Sequence, residues 1–329
     1  MDNKITFIIL TKDRKKLFLD FFDNFYKIFK NKLIYKFLII DGSSFEDSLF
    51  LSKKLKKYKN LRYVRQASKG FMNGCFEAIY FVNTKYCTFI YDDDLLSPHV
   101  TQIYENLLTK KKFSMGYGLV APKNANHESF KCLSKLEYKK EEILLGYYGI
   151  NTFNVKTLPV SPVCTIFNKD FLFLWKKEIL RFCINNNFRS FFLLKKNVGP
   201  DLMIYLFNIL NTKKNINFYK PHCAIFVEHS KSMSVILGTC DLKIGYWLAK
   251  VSLLLRINNN KIKDKLYTFL IIDGLFIILS NLLLMFSNKR CYLSGLAKEL
   301  ILLFRSSNKF LFIHMHQILI NKLCREIKF

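Results

Sequence analysis

Over its first hundred residues the chain alternates short apolar runs with longer stretches whose apolar residues recur at helical spacing. The runs Lys4–Leu10, Tyr35–Ile40, Leu61–Val64 and Tyr86–Tyr91 have the length of buried strands, and polar residues follow each of them. Residues 15–29, 44–58 and 70–82 lie between them and carry apolar side chains three and four apart, the pattern of one helix face. This alternation predicts an α/β fold with a mostly parallel, doubly wound sheet. In such sheets a ligand lies beyond the carboxyl ends of the strands. Thr11, Asp41 and the run Asp92-Asp93-Asp94 all follow those ends, so one crevice can collect them.

The pattern is less regular past residue 101. Residues 122–160 are mixed, with Tyr147-Tyr148-Gly149 in their middle. Ser161–Phe167 reads as a return strand, Lys169–Asn185 and Leu202–Leu210 as helices, and Cys223–Val227 as a further strand. After about residue 240 the chain is helical in pattern, with breaks at Asn258-Asn259-Asn260, Ser287-Asn288 and Ser306-Ser307-Asn308. The reading is an α/β unit over 1–235, with halves 1–101 and 102–235, and a helical C-terminal region over 236–329 suited to membrane docking or dimerisation. Leu266–Phe286, at 21 residues, is long enough to span a bilayer, but Asp273, Gly274 and Asn281 interrupt it. A buried or interfacial helix is the expectation there.

The formal net charge of +27 narrows the partners. Nine of the 52 basic residues are arginines and the other 43 are lysines, spread along the whole chain. Specific nucleic-acid readers lean on the planar guanidinium fork, so no specific nucleic acid is expected. A generic basic surface suits an anionic membrane, which attracts it by about 1 kcal/mol per nearby lysine or arginine. The nine cysteines are scattered without a Cys-x-x-Cys pair, so neither a zinc site nor a disulfide framework is indicated. A reducing cytoplasm fits that usage. The first strand begins by residue 4, which leaves no room for a leader peptide. The expected location is cytoplasmic, peripheral on the inner face of the cell membrane.

Against that positive excess, three adjacent carboxylates at a strand end need a reason. Oxygen ligands suit magnesium or manganese, which commonly take one or two protein carboxylates plus substrate phosphates. The alternative is a solvated acidic turn ahead of the helix that starts near Pro98. Asp201, in Asn197-Val198-Gly199-Pro200-Asp201-Leu202, lies in the first turn of a helical pattern, where the helix dipole favours an anion. Locally it reads as a helix-start acid. His229 follows the strand-like Cys223–Val227, and an isolated histidine is by default structural.

The series of a strand followed by Thr11-x-x-Arg14, a strand ending in Asp41-Gly42-Ser43-Ser44, and a strand ending in Asp92-Asp93-Asp94 with Pro98 four residues on resembles the nucleotide-binding half of the family-two glycosyltransferases. The likeness is good over about 4–101 and patchy to about 235. It implies the A-type glycosyltransferase fold, which is Rossmann-like, and an inverting transfer from a nucleotide-diphosphate sugar to a saccharide or lipid-linked acceptor with Mn2+ or Mg2+. By the same resemblance Thr11, Arg14 and Asp41 are on the nucleoside side and Asp92 is near the ribose. Asp93 is the chief metal ligand, with Asp94 and His229 as further ligands, and Asp201 is the catalytic base. The family's aspartate motif commonly starts one residue earlier, where this chain has Tyr91. The family's Gly-x-x-x-Ala-Arg-Asn is also incomplete. Gly70 and Asn73 are kept, the arginine is missing, and Lys69 or Arg65 is left to supply the charge. These departures keep open a different class, a basic membrane- or nucleic-acid-binding protein with a degenerate, inactive transferase domain.

Overall fold

A computed structural model describes residues 4–29, 35–92, 94–97, 100–110, 113–122, 134–149, 158–228, 233–257, 260–283 and 291–306. Four parallel strands form the centre of the first sheet: β1 (Ile5–Thr11), β2 (Tyr35–Asp41), β3 (Leu61–Arg65) and β4 (Tyr86–Tyr91). Helices α1 (Lys15–Phe29), α2 (Phe45–Leu55) and α3 (Phe71–Phe81) connect them, as the periodicity predicts. β1 is buried along its whole length, as an inner strand covered on both faces must be. The buried side of α1 is a stripe of Phe18, Phe22, Phe25 and Phe29, and Phe7 of β1 packs against the rings of Phe25, Phe29, Tyr35 and Phe37. Ser44 caps α2 by accepting from the Asp47 amide at 3.3 Å.

The strand order is β3-β2-β1-β4-β8, where β8 (Phe167–Asn168) is a two-residue strand antiparallel to β4. The long return strand expected at Ser161–Phe167 is therefore mostly absent. Pro162 lacks an amide hydrogen, and Pro162–Cys164 close one tight helical turn instead. Thr165 makes a single bridge to Met115 before Phe167 joins the sheet.

A second sheet was not legible in the pattern. It consists of β5 (Asp94–Leu96), β6 (Ser114–Pro122), β7 (Ser134–Tyr138) and β9 (Ile216–Glu228), with order β5-β9-β6 and β7 paired to β9. β6 contains Gly116 and Gly118, which strands disfavour. Gly118 is there because a Cβ would come within 2.2 Å of the Phe226 ring on β9. α4 (Val100–Lys110) precedes β6, and α5 (Lys140–Tyr147) follows β7.

α6 (Lys169–Cys183), α7 (Asn187–Ser190) and α8 (Pro200–Asn211) complete the α/β part. The C-terminal region is helical over α9 (Met233–Leu254), α10 (Asn260–Leu283) and α11 (Cys291–Ser306). It shares the core: Trp247, Leu248, Leu270 and Leu300 join the same buried cluster as β1 and β4. Ion pairs help to fasten it, among them Arg256 with Glu178 of α6. Arg189 grips Glu299 through two hydrogen bonds of 2.8 and 2.9 Å, and Lys196 pairs with Asp241. Leu266, Leu270 and Ile271 of α10 are buried against neighbours, and no helix among the described residues is long and apolar enough to cross a membrane.

Candidate active site

The register of the parallel strands sets the floor of the crevice. Thr11 stands opposite Asp41, and Leu10 opposite Tyr91, at the carboxyl ends of β1, β2 and β4. The chain crosses between these ends in tight steps. The Gly42 amide donates to the Thr11 carbonyl at 3.0 Å, and the Gln66 amide to the Asp41 carbonyl at 2.8 Å. Gly42 and Gly74 both abut the Gln66 side-chain oxygen, where a Cβ would come within 2.8 or 2.9 Å.

Each acid of the first sheet is held by a defined partner. Asp92 accepts from the Thr11 hydroxyl at 3.1 Å and from the Arg14 guanidinium at 3.0 Å. Thr11, Arg14 and Asp92 thus form one cluster. Asp41 is fully buried. It accepts from the Ser43 amide at 2.9 Å and from the Tyr63 hydroxyl. Burial and the bond to Asp41 hold the Tyr63 phenol well above its ordinary pKa, so it remains a donor. Tyr63 carries no sequence signal of its role, since it reads only as a strand residue. Asp13 stands at φ 53°, and its amide donates to the Ser43 hydroxyl at 2.8 Å, which links the two loops on either side of the crevice.

Of the two candidate replacements for the missing arginine, Arg65 lies over the Phe45 ring at 5.2 Å. Lys69 is exposed in the loop before α3, with its carbonyl bound by Asn73 at 2.7 Å. Gly70 caps α3 at φ 107°, a conformation that favours glycine. This helix N-terminus opens on the same crevice and is suited to an anion.

Asp201 lies in the first turn of α8, as its sequence predicts. Gly199 is in a left-handed conformation at φ 105° and Pro200 occupies the first helical position. Trp175 of α6 donates to the Pro200 carbonyl at 2.8 Å and fixes the start of the helix. The Asp201 carboxylate accepts from the Leu202 amide at 2.9 Å and from the Tyr246 hydroxyl of α9 at 3.3 Å. Burial lifts its pKa from 3.8 to about 6, although these donors and the Gly199 amide pull it down. Although the residue keeps some surface contact, its carboxyl group is largely desolvated.

Three phenols lie within electrostatic reach of this acid, and one of them, Tyr246, bonds to it. Tyr91 at the end of β4, Tyr147 of α5 and Tyr246 of α9 all have pKa values raised well above normal, first by burial and also by the nearby Asp201 charge. Tyr91 also feels Cys75 and Asp94, so the charges of Asp201 and Asp94 both act on the same phenol. The structure therefore brings Asp201 to the aspartate end of β4, across about a hundred residues of chain. Tyr246 was not anticipated, and nothing local marks it. Tyr147 lies in the irregular segment noted in the sequence, but without a role.

Asp94 is buried at the start of β5, opposite Phe226 of β9. This antiparallel register carries the end of β9, at Glu228, back toward the aspartate run. Asp93 and His229 lie outside the described residues. Among the described residues no three His, Cys, Asp or Glu side chains converge as a metal centre. The carboxylate chemistry of Asp94 suits a hard cation.

A separate cavity of about 550 Å³ opens at the other end of α8, lined by residues including Lys140, Leu144, Glu178, Phe207 and Arg256. It contains none of the groups described above. The crevice is the better candidate because the acids, the anion-facing helix start and the shifted pKa converge there.

No family model and no curated protein sequence matches the chain. Solved structures do. Residues 1–349 of TarS from S. aureus, in complex with UDP-GlcNAc, superpose with a TM-score of 0.57 at 15% identity, covering 80% of this chain and 70% of that one. The same protein in complex with UDP gives 0.52 at 14% identity, covering 80% and 69%. A longer TarS structure gives 0.53 at 14% identity, covering 82% of this chain and 43% of that one. The likeness to the family-two glycosyltransferases noted in the sequence extends to the architecture, and this chain has an A-type glycosyltransferase-like fold.

Proposed function

We propose that the protein is an inverting glycosyltransferase that moves a sugar from a nucleotide-diphosphate donor to an acceptor hydroxyl. The observation that carries this reading is Asp201: a desolvated carboxylate with its pKa raised to about 6, beside the ends of the strands that gather Thr11, Arg14, Asp41 and Asp92. A base with a pKa near the working pH is both ionised and basic enough to take a proton. The fold neighbours bound to UDP and UDP-GlcNAc favour a uridine diphosphate sugar as the donor.

In this reading Asp41 and the loop it anchors border the nucleoside, and the Thr11–Arg14–Asp92 cluster fixes the ribose side. Lys69 and the start of α3 meet the diphosphate. The acceptor oxygen attacks the anomeric carbon, its proton passes to an Asp201 oxygen, and the bond to the diphosphate breaks on the opposite face. One displacement gives inversion and needs no covalent intermediate. Asp93, Asp94 and His229 would hold a divalent cation, Mn2+ or Mg2+, which when bound neutralises charge on the leaving diphosphate. Asp93→Asn is then expected to remove the metal dependence of diphosphate binding while leaving the protein folded. The acceptor is proposed to be a saccharide or lipid-linked precursor of a surface glycoconjugate. The basic surface would hold the enzyme on the cytoplasmic face of an anionic membrane.

The test is a thermal-shift panel of nucleotides and nucleotide sugars, with and without manganese. Ligand stabilisation grows as RT ln(1 + [L]/Kd), so weak donors register at millimolar concentration. Stabilisation by UDP and a UDP-sugar above that by adenosine nucleotides supports the proposal. A panel with no shift for any nucleotide would refute it and favour a basic binding protein on an inactive scaffold.

A further inference from the structure

We propose that Tyr246 is a positioning residue for Asp201, and that helix α9 of the C-terminal region forms the back wall of the active site. The inference rests on the transferase reading and adds to it a region outside the nucleotide-binding sheet.

Three contacts join α9 to the segment that delivers the base. At one end Asp241 pairs with Lys196, whose ammonium also lies 5.0 Å from the centres of the Phe191 and Tyr292 rings. One turn along α9, Gly245 meets the Val198-Gly199 step. A Cβ on Gly199 would come within 2.5 Å of the Gly245 carbonyl, and a Cβ on Gly245 within 2.3 Å of Val198 Cγ1. Backbone thus packs on backbone in both directions. The next residue, Tyr246, donates to Asp201 Oδ2 at 3.3 Å. Positions 241 and 245 are a helical turn apart, so one face of α9 touches the chain at Lys196 and Gly199, and the adjoining Tyr246 reaches Asp201.

Each contact has a consequence for the base. The glycine interlock fixes where α8 begins, and so where its first-turn carboxylate points. The Tyr246 hydroxyl occupies Oδ2 and orients the group, while the Leu202 amide binds Oδ1. A donated hydrogen bond also favours the ionised carboxylate, so Tyr246 keeps the base charged at neutral pH. The other groups around Asp201 are Tyr91 of β4, Tyr147 of α5 and Cys75 of α3, with Asp94 beyond Tyr91. Burial holds these phenols and the thiol in their neutral forms, so none of them adds a negative charge beside Asp201.

The test compares wild type, Tyr246→Phe and Gly245→Ala in the full chain. Tyr246→Phe is expected to keep the donor Kd while lowering kcat roughly tenfold, the scale of one lost hydrogen bond to the base, with a small fall in melting temperature at neutral pH that shrinks at pH 4. The acid limb of its pH–rate profile should move to higher pH. Gly245→Ala must push Val198 aside, so kcat and melting temperature should fall together while donor Kd holds. A carbon-13 titration of the Asp201 carboxyl, identified by its loss in Asp201→Asn, needs no turnover. It should show the midpoint rising in Tyr246→Phe. An unchanged midpoint would overturn the role of Tyr246 whether or not the protein transfers sugar. A folded Gly245→Ala protein with undiminished kcat would overturn the role of α9. If the midpoint shifts but no donor supports transfer in wild type, the contact stands and the transferase reading fails.

Discussion

Asp41 and Asp92, at the ends of β2 and β4, are answered by a phenol, a backbone amide, a threonine hydroxyl and the Arg14 guanidinium. Asp201, at the start of α8, accepts from the Leu202 amide and the Tyr246 hydroxyl, and burial raises its pKa to about 6. The first arrangement satisfies charges in place and makes a rigid floor that can hold a ligand. The second leaves a charge under-stabilised, which is what a proton acceptor needs. Acids of one residue type are therefore prepared for different work.

The largest expected effect comes from removing the proposed proton acceptor. Asp201→Asn should lower kcat by about 10²–10⁴-fold with little change in donor affinity. It should not lower stability at neutral pH. Because folding raises this pKa from 3.8 to about 6, the ionised group opposes folding. That opposition is absent below pH 3.8, grows through the interval and is complete above about 6. It is on the order of 3 kcal/mol at most. Melting of Asp201→Asn relative to wild type should therefore be more favourable at pH 7.5 than at pH 4. A variant that loses activity and melts lower at pH 7.5 would make Asp201 a helix-start support instead.

The paired acids should behave in the opposite way, with binding rather than turnover affected. Asp41→Asn is expected to weaken nucleoside monophosphate binding by about 1.5–3 kcal/mol, read by calorimetry, since a charged, buried acceptor is lost. Unchanged affinity would move Asp41 out of the pocket. Arg14→Ala leaves the Asp92 charge without its cation. Because Arg14 is 27% exposed, the expected destabilisation is about 1–2 kcal/mol rather than that of a fully buried pair. It should lower melting temperature and nucleotide affinity together. Lys69→Ala, at an exposed site, should raise the donor KM by no more than about fivefold, an effect of about 1 kcal/mol that added salt should erase.

The same contrast governs what the sequence makes legible. β1 to β4 and their helices can be read because each is decided by local periodicity, and alternating strands and helices build a parallel sheet. Thr11, Asp41 and Asp92 follow from that topology. Asp201 is recognisable as an acid at a helix start, but its environment is not, because Tyr91, Tyr147 and Tyr246 reach it from β4, α5 and α9. Their roles exist only once the chain has folded. β6 escaped notice because Gly118 looks like a strand breaker until Phe226 is seen against it. Ser161–Phe167 misled in the other direction, since an apolar run beginning with Ser-Pro closed into a turn.

The most direct test of the division between holding and proton transfer is the pH dependence of single-turnover transfer with saturating donor, in wild type and Asp201→Asn. If the proposed role of Asp201 holds, its ionised form is the active one, so the wild-type rate should rise through an apparent pKa of about 6 and level off above it. The residual rate of Asp201→Asn should lack that limb. A wild-type rate that is flat from pH 5 to 8, or a limb that survives in Asp201→Asn, would contradict the account and assign the proton to another group.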